Sequence, residues 1–179
     1  RRIAMRQVFA ACAALLLLAP SALAQSQPQQ RPTCEAAAHR ALDFWVGEWD
    51  AFRADTNAPA GRSSIRREDD GCVITEHWVS AGQPYSGRSL NIYDRASGRW
   101  EQYWVDSTGA RTHFIGGPIE NGMQLTTASP VPVQGNVERY SRVTLTARPD
   151  GTVLQRGEVS ADRAEWTTTY AFVYRRRAE

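Results

Sequence analysis

The side chains able to do chemistry are few, and their spacing restricts what they could do. The chain has three histidines, at His39, His77 and His113, and no His-x-His or His-x-x-x-His pattern of the kind that builds a structural zinc site. His39 belongs to an N-terminal arm and is expected to be solvated. Strand alternation separates His77 from its neighbours Glu76 and Trp78. His113, inside a closed sheet, could be an axial haem ligand, or a histidine that is simply hydrogen-bonded. Nucleophilic catalysis has no Gly-x-Ser-x-Gly elbow, and Ser86 and Ser107 have no histidine nearby in sequence. Asp43, Glu48 and Asp50 cluster, yet Glu48 and Asp50 share one strand face, which suits solvation or arginine pairing better than an acid/base couple. Gly116-Gly117 runs into Pro118 without a helix and is no phosphate loop. The chain contains no lysine, which excludes a lysine Schiff base.

Arginines carry the whole basic complement. Arg88, Arg111 and Arg142 fall on predicted strands, and one turned inward would hold a carboxylate or phosphate by forked hydrogen bonds. The expected alternative is an outward charge. Arg175-Arg176-Arg177 ends the last strand, where one guanidinium could stack on Trp49.

Residues 1–24 read as a secretory signal peptide, with Arg1–Ala4 preceding the expected initiator Met5. Arg6 is followed by an apolar run through Leu15-Leu16-Leu17-Leu18, then Pro20 and the small-residue site Ala22-Leu23-Ala24. The run is shorter than the roughly 20 residues that span a bilayer, so no membrane span is expected in the mature chain. The formal charge of +2 includes Arg1, Arg2 and Arg6. Without them 18 basic residues face 19 acidic ones, and no basic surface for nucleic acid is implied. Of three cysteines, Cys12 lies in the leader. Cys34 and Cys72 are left as an even pair in an oxidising compartment, which predicts one disulfide.

The elements that must position these residues are strands. Gln25 to Thr33 reads as a disordered tether, and residues 34–179 as a single domain. Cys34–Ala41 favours a short helix. The stretch Leu42-Asp-Phe-Trp-Val-Gly-Glu-Trp-Asp50 opens the first strand, with Gly47 permitting close chain approach and Trp49 large enough to plug a barrel end. Turn signals then recur at Asp70-Gly71, Ser97-Gly98, Thr108-Gly109, Asn121-Gly122 and Asp150-Gly151. They predict strands near 44–53, 61–68, 72–80, 86–94, 99–106, 111–117, 122–128, 138–147, 152–159 and 165–175. Such an all-β antiparallel meander closes into a barrel, with an open sandwich as the alternative.

Hairpin register assigns faces. Pairing Tyr93 with Trp100 sets Asn91 against Gln102 and Ser89 against Trp104, and a two-residue turn at Thr108-Gly109 would continue that face to His113 and Ile115. The opposite face carries Leu90, Ile92, Tyr103, Val105, Phe114 and Leu125, and a slip of one residue would exchange members of the two sets. Binary patterning alone would bury the aliphatic set. A cavity lined by aromatics with a few amides and hydroxyls favours the other, and that face is expected inward.

Phe44-Trp-Val-Gly-Glu-Trp-Asp50, Asp70-Gly-Cys72, Gly87-Arg-Ser-Leu-Asn-Ile-Tyr-Asp94 and Gly98-Arg-Trp-Glu-Gln-Tyr-Trp-Val-Asp106 together resemble exported bacterial proteins of the DUF1579 type, a family of unknown function. More distantly, the Gly-x-Trp start and strand count resemble the calycin superfamily of lipocalins, fatty-acid-binding proteins and nitrobindin-like haem barrels. That resemblance implies a lipocalin-like barrel with an internal cavity and specifies no ligand. Nitrobindin-type chains would continue with alternating glycines where Asp50 and Ala51 stand here. The expectation is therefore an exported, non-catalytic barrel holding a small hydrophobic or amphipathic molecule. Tyr93, Trp100 and Trp104 would contact it, and Asn91, Gln102 and His113 would orient its polar end. No cofactor is expected, haem being an alternative. A barrel hydrolase or isomerase using His113 with Glu101 or Asp106, and a partner-binding module without a cavity, are the competing readings.

Overall fold

The computed structural model describes residues 33–133 and 137–178. The expected signal peptide at 1–24, and the expected tether at 25–33 up to its last residue, lie outside the described residues. One helical turn, α1 (Ala37–Arg40), and a 3-10 turn (Asp43–Trp45) lead into β1 (Gly47–Arg53), β2 (Pro59–Glu68), β3 (Val73–Ser80), β4 (Ser86–Asp94) and β5 (Arg99–Asp106). There follow β6 (Arg111–Ile119), β7 (Gly122–Thr127), β8 (Val131–Pro132), β9 (Glu138–Ala147), β10 (Val153–Ser160) and β11 (Thr167–Arg176). Each long strand is antiparallel to its successor, β7 pairs with β9, and β11 returns to β1, so ten strands close into a barrel. The two-residue β8 adds to β9 as a separate short ladder. The ten strands expected from turn spacing are the ten of the barrel. The first begins at Gly47 rather than residue 44 because Asp43–Trp45 winds as 3-10 helix.

Within the β4–β5 hairpin, Tyr93 pairs with Trp100, Asn91 with Gln102 and Ser89 with Trp104, as expected. The next hairpin departs from expectation. Asp106 N donates to Ala110 O and Gly109 N donates to Asp106 O, which makes the connection a three-residue loop with Gly109 at φ +82°. A glycine in the left-handed region is what such a loop requires. The extra residue shifts the register by one and exchanges faces. Trp104 therefore pairs with Thr112 and Gln102 with Phe114, while His113 pairs with Tyr103. Thus Phe114 turns inward, and so does Leu125, which is fully buried.

Burial settles which face is inside. Leu90, Tyr103 and Val105 are 54%, 45% and 51% exposed, whereas Ser89, Asn91, Trp100 and Gln102 are buried. A ten-strand barrel is wider than the eight-strand kind whose interior side chains just fill, so small aliphatic side chains would leave it hollow.

One end is shut by the N-terminal arm. Leu42, Trp45, Trp49 and Trp100 are fully buried there. Trp49 Nε1 donates to Trp45 O at 2.8 Å, and Trp100 Nε1 donates to Ala38 O at 2.9 Å. Arg176 lies 4.4 Å over the Trp49 ring, as expected of one terminal arginine, and donates to Val46 O. It crosses the chain at Gly47, where a Cβ would come within 2.2 Å of its Nη1. Glu48 and Asp50 pair with Arg66, Arg62 and Arg177 on the outer wall. His39 is buried rather than solvated: Arg95 Nε donates to its Nε2 at 3.3 Å, and its ring meets Tyr93 edge-on.

Cys34 and Cys72 form the expected disulfide, stitching the arm to the β2–β3 turn across a sequence separation of 38. Cross-linking a loop of this length restricts the unfolded chain by about 3–4 kcal/mol. Replacing both cysteines by serine should lower the stability measured in urea by that order, and an unchanged midpoint would remove the disulfide from the account of this end.

Candidate ligand-binding cavity

The interior left open is a cavity of about 420 Å³, entered from the end that carries the β1–β2 and β3–β4 loops. Its walls come from strands on all sides. Trp78 of β3 stacks on Phe172 of β11 at 5.5 Å with 8° between the rings, and Phe172 stacks in turn on Tyr170 at 5.0 Å. Gln102, Trp104 and Phe114 form the opposite wall, and Ser141, Val143 and Gln155 complete the lining. The rings lie flat against their neighbours because glycines face them: a Cβ on Gly87 would sit 2.1 Å from Trp104, and one on Gly157 2.0 Å from Tyr170. Large rings alternating with missing side chains leave a slot rather than a filled core.

The polar part of the cavity is organised around Glu76, which is 4% exposed. Ser63 Oγ donates to its Oε1 at 2.8 Å and Ser89 Oγ to its Oε2 at 3.1 Å. Behind Ser89 the donors run in one direction. Gln102 Nε2 donates to Asn91 Oδ1 at 2.8 Å, and Asn91 Nδ2 donates to Ser89 Oγ at 2.9 Å. Each group in the chain therefore polarises the next toward the carboxylate. Burial pushes the Glu76 carboxyl up to about 7, and the two serine hydroxyls only partly offset it. Burial also raises Tyr170 and Tyr174, with Glu76 adding to the effect.

At the mouth, Tyr85 OH and Trp104 Nε1 both donate to Asp106 Oδ2, at 3.2 and 3.3 Å. Burial pushes the Asp106 carboxyl up, but hydrogen bonds from Thr108, Trp104 and Tyr85 outweigh it and hold the group below its usual value. Arg53 stands exposed on the rim.

Of the residues expected to line the site, Gln102 and Trp104 do so. Asn91 is fully buried one step behind, and also donates to Ile74 O. Tyr93 and Trp100 pack at the closed end, against His39 and the α1 carbonyls. His113 is on the outer wall, stacked on Tyr103 at 4.3 Å and bonded to Glu101 at 3.0 Å. The expected histidine–carboxylate pair thus exists, but outside the cavity. His77 also faces outward, beside the exposed Arg88. With His39 held by Arg95, no histidine among the described residues lines the cavity, so the residues present do not fit a histidine-ligated haem. Arg88 and Arg111 are exposed, and Arg142 pairs with Glu158 at 2.9 Å beneath Trp166.

Glu76, Trp78, Tyr170 and Phe172 were not anticipated. Strand alternation places Ile74, Glu76 and Trp78 on one face of β3, a legible signal once Ile74 is known to be core. The β11 residues gave none, because their contact with β3 is made only by closure.

The DUF1579 family profile, described as a protein of unknown function, matches residues 35–176. The chain belongs to the DUF1579 family. No curated protein matches it. The matched span runs from the arm through β11, so it holds every strand of the barrel and every side chain of the cavity.

Glu76 makes this DUF1579 barrel sensitive to pH in a stated direction. Between pH 4.5 and about 7 the folded chain keeps a proton that the unfolded chain has released. Stability therefore falls as pH rises through that window, by on the order of 3 kcal/mol once pH exceeds 7. Glu76→Gln should remove this component, so that the variant is the more stable protein at pH 8 and gains little at pH 4.5. Parallel pH profiles of urea unfolding for the two proteins would show that Glu76 is not buried as described.

Proposed function

We propose that the protein is an exported binding barrel that takes a small, partly apolar molecule into its cavity. The supporting observation is the slot itself: about 420 Å³ walled by Trp78, Trp104, Phe114, Tyr170 and Phe172, with Gln102 and Glu76 converging on it. Ligand sites commonly have this size and this mixture of an apolar wall with a few convergent polar groups. Export rests on the leader-like segment Met5–Ala24 and is compatible with the Cys34–Cys72 disulfide. Among the described residues no helix is long and apolar enough to cross a membrane. The enzymatic alternative loses its anchor, since the His113–Glu101 pair faces away from the cavity.

The neutral fluorescent probe N-phenyl-1-naphthylamine tests this reading. The mature protein should bind it with enhanced emission. Trp104→Ala, which removes part of the wall, should weaken binding at least tenfold, while His113→Ala leaves it unchanged. Absence of binding, or equal binding by Trp104→Ala, would overturn the proposal.

A further inference from the structure

We propose that the molecule taken into the cavity is an organic cation, an amphipathic amine whose ammonium group pairs with Glu76 while its apolar body lies against the aromatic rings. This rests on the binding reading above and names the ligand class.

The argument begins with charge. Glu76 is buried and lines the cavity, yet among the described residues its two oxygens are met only by the neutral hydroxyls of Ser63 and Ser89. Arg53, the cation of the lining, is exposed at the rim. A carboxylate accepts at about four positions, and the serines occupy two of them. A buried carboxylate without a cation is costly, and one that is paired and hydrogen-bonded is not. Burial opposes the charged form, while the hydrogen-bonding partners are arranged to favour it. Gln102, Asn91 and Ser89 are aligned donor to acceptor, ending on the Glu76 carboxyl, so the chain supplies hydrogen bonds to an acceptor.

The wall around it supports the same sign of ligand charge. Trp78 lies two residues along β3 on the face of Glu76, and Tyr170 and Tyr174 of β11 are close enough for its charge to raise them. Aromatic faces attract cations, most strongly where water is excluded. An anionic ligand would meet the opposite: the Glu76 charge inside and Asp106 at the mouth. Fatty acids and phosphorylated molecules are therefore the wrong class for this cavity.

Three compounds of one shape distinguish the outcomes: 4-phenylbutylamine, 4-phenylbutanol and 4-phenylbutyrate, titrated calorimetrically into the mature protein at pH 8. The amine should bind at least tenfold more tightly than the alcohol, and the carboxylate most weakly. In Glu76→Gln the amine should fall to the level of the alcohol, with a retained cooperative urea-unfolding transition as the check on folding. In the wild type the amine's affinity should fall at least tenfold between pH 8 and pH 5.5 while the alcohol's stays constant. Of the other charged or titratable groups facing the cavity, Tyr85, Tyr170 and Tyr174 are raised and Asp106 is lowered, away from that interval, and Arg53 stands at the rim. If the alcohol or the carboxylate binds as well as the amine, or if Glu76→Gln leaves the amine's affinity unchanged, the cation proposal is overturned while the binding barrel stands. If neither the three compounds nor the probe bind, the binding reading falls with it.

Discussion

Closure of the sheet is the constraint on which the rest depends. Once β11 pairs with β1 and β9 with β10, there is no edge left in the ten-strand ladder, and every strand residue is committed to the inside or the outside. The enclosed space is too wide for aliphatic side chains to fill. The chain meets this in two ways: the N-terminal arm packs Leu42 and Trp45 against Trp49 of β1 at one end, and rings laid across glycines line the other. The first gives stability. The second gives a cavity with rigid walls, because Trp104 and Tyr170 are confined by the backbones of Gly87 and Gly157 beneath them.

Against that background Glu76 is the place where local stability is sacrificed. An apolar side chain of similar size would satisfy a core position on β3, between Ile74 and Trp78. Instead a carboxyl is held in apolar surroundings by Ser63, Ser89 and the amides of Asn91 and Gln102. Violations of the ordinary burial rule with a supporting hydrogen-bond network are characteristic of functional positions. The same network explains why Asn91 is buried without touching the cavity: it positions Ser89 and Gln102, and its second donor contact to Ile74 O locks its orientation.

Much of this was legible one dimension at a time. Turn chemistry marked where each strand stopped, and the β4–β5 register followed from one pairing, Tyr93 with Trp100. The faces of β6 were misplaced by a single residue because Thr108-Gly109 reads equally well as a two-residue turn or as the end of a three-residue loop. Asp106 decides between them, its carboxylate capping Thr108 N at 2.8 Å and accepting from Trp104 and Tyr85. Thr108 and Trp104 are local partners, but Tyr85 lies 21 residues away in sequence, so part of the choice belongs to tertiary structure. Its consequence is large: His113 leaves the cavity and Phe114 enters it.

The amino-acid sequence by itself determined the all-β class, the ten strands, the disulfide partners and the division of β4 and β5 into an aromatic–polar and an aliphatic face. These follow from local φ preferences, period-two alternation and cysteine parity, all of which act over short spans or by simple pairing. Only the tertiary structure decided which aromatics share a wall and which acid they surround. Trp78 of β3 and Phe172 of β11 are separated by most of the barrel domain in sequence, yet stack at 5.5 Å. Their meeting depends on barrel width, stagger and the clearance left by glycines, quantities that exist only after the last strand has paired with the first.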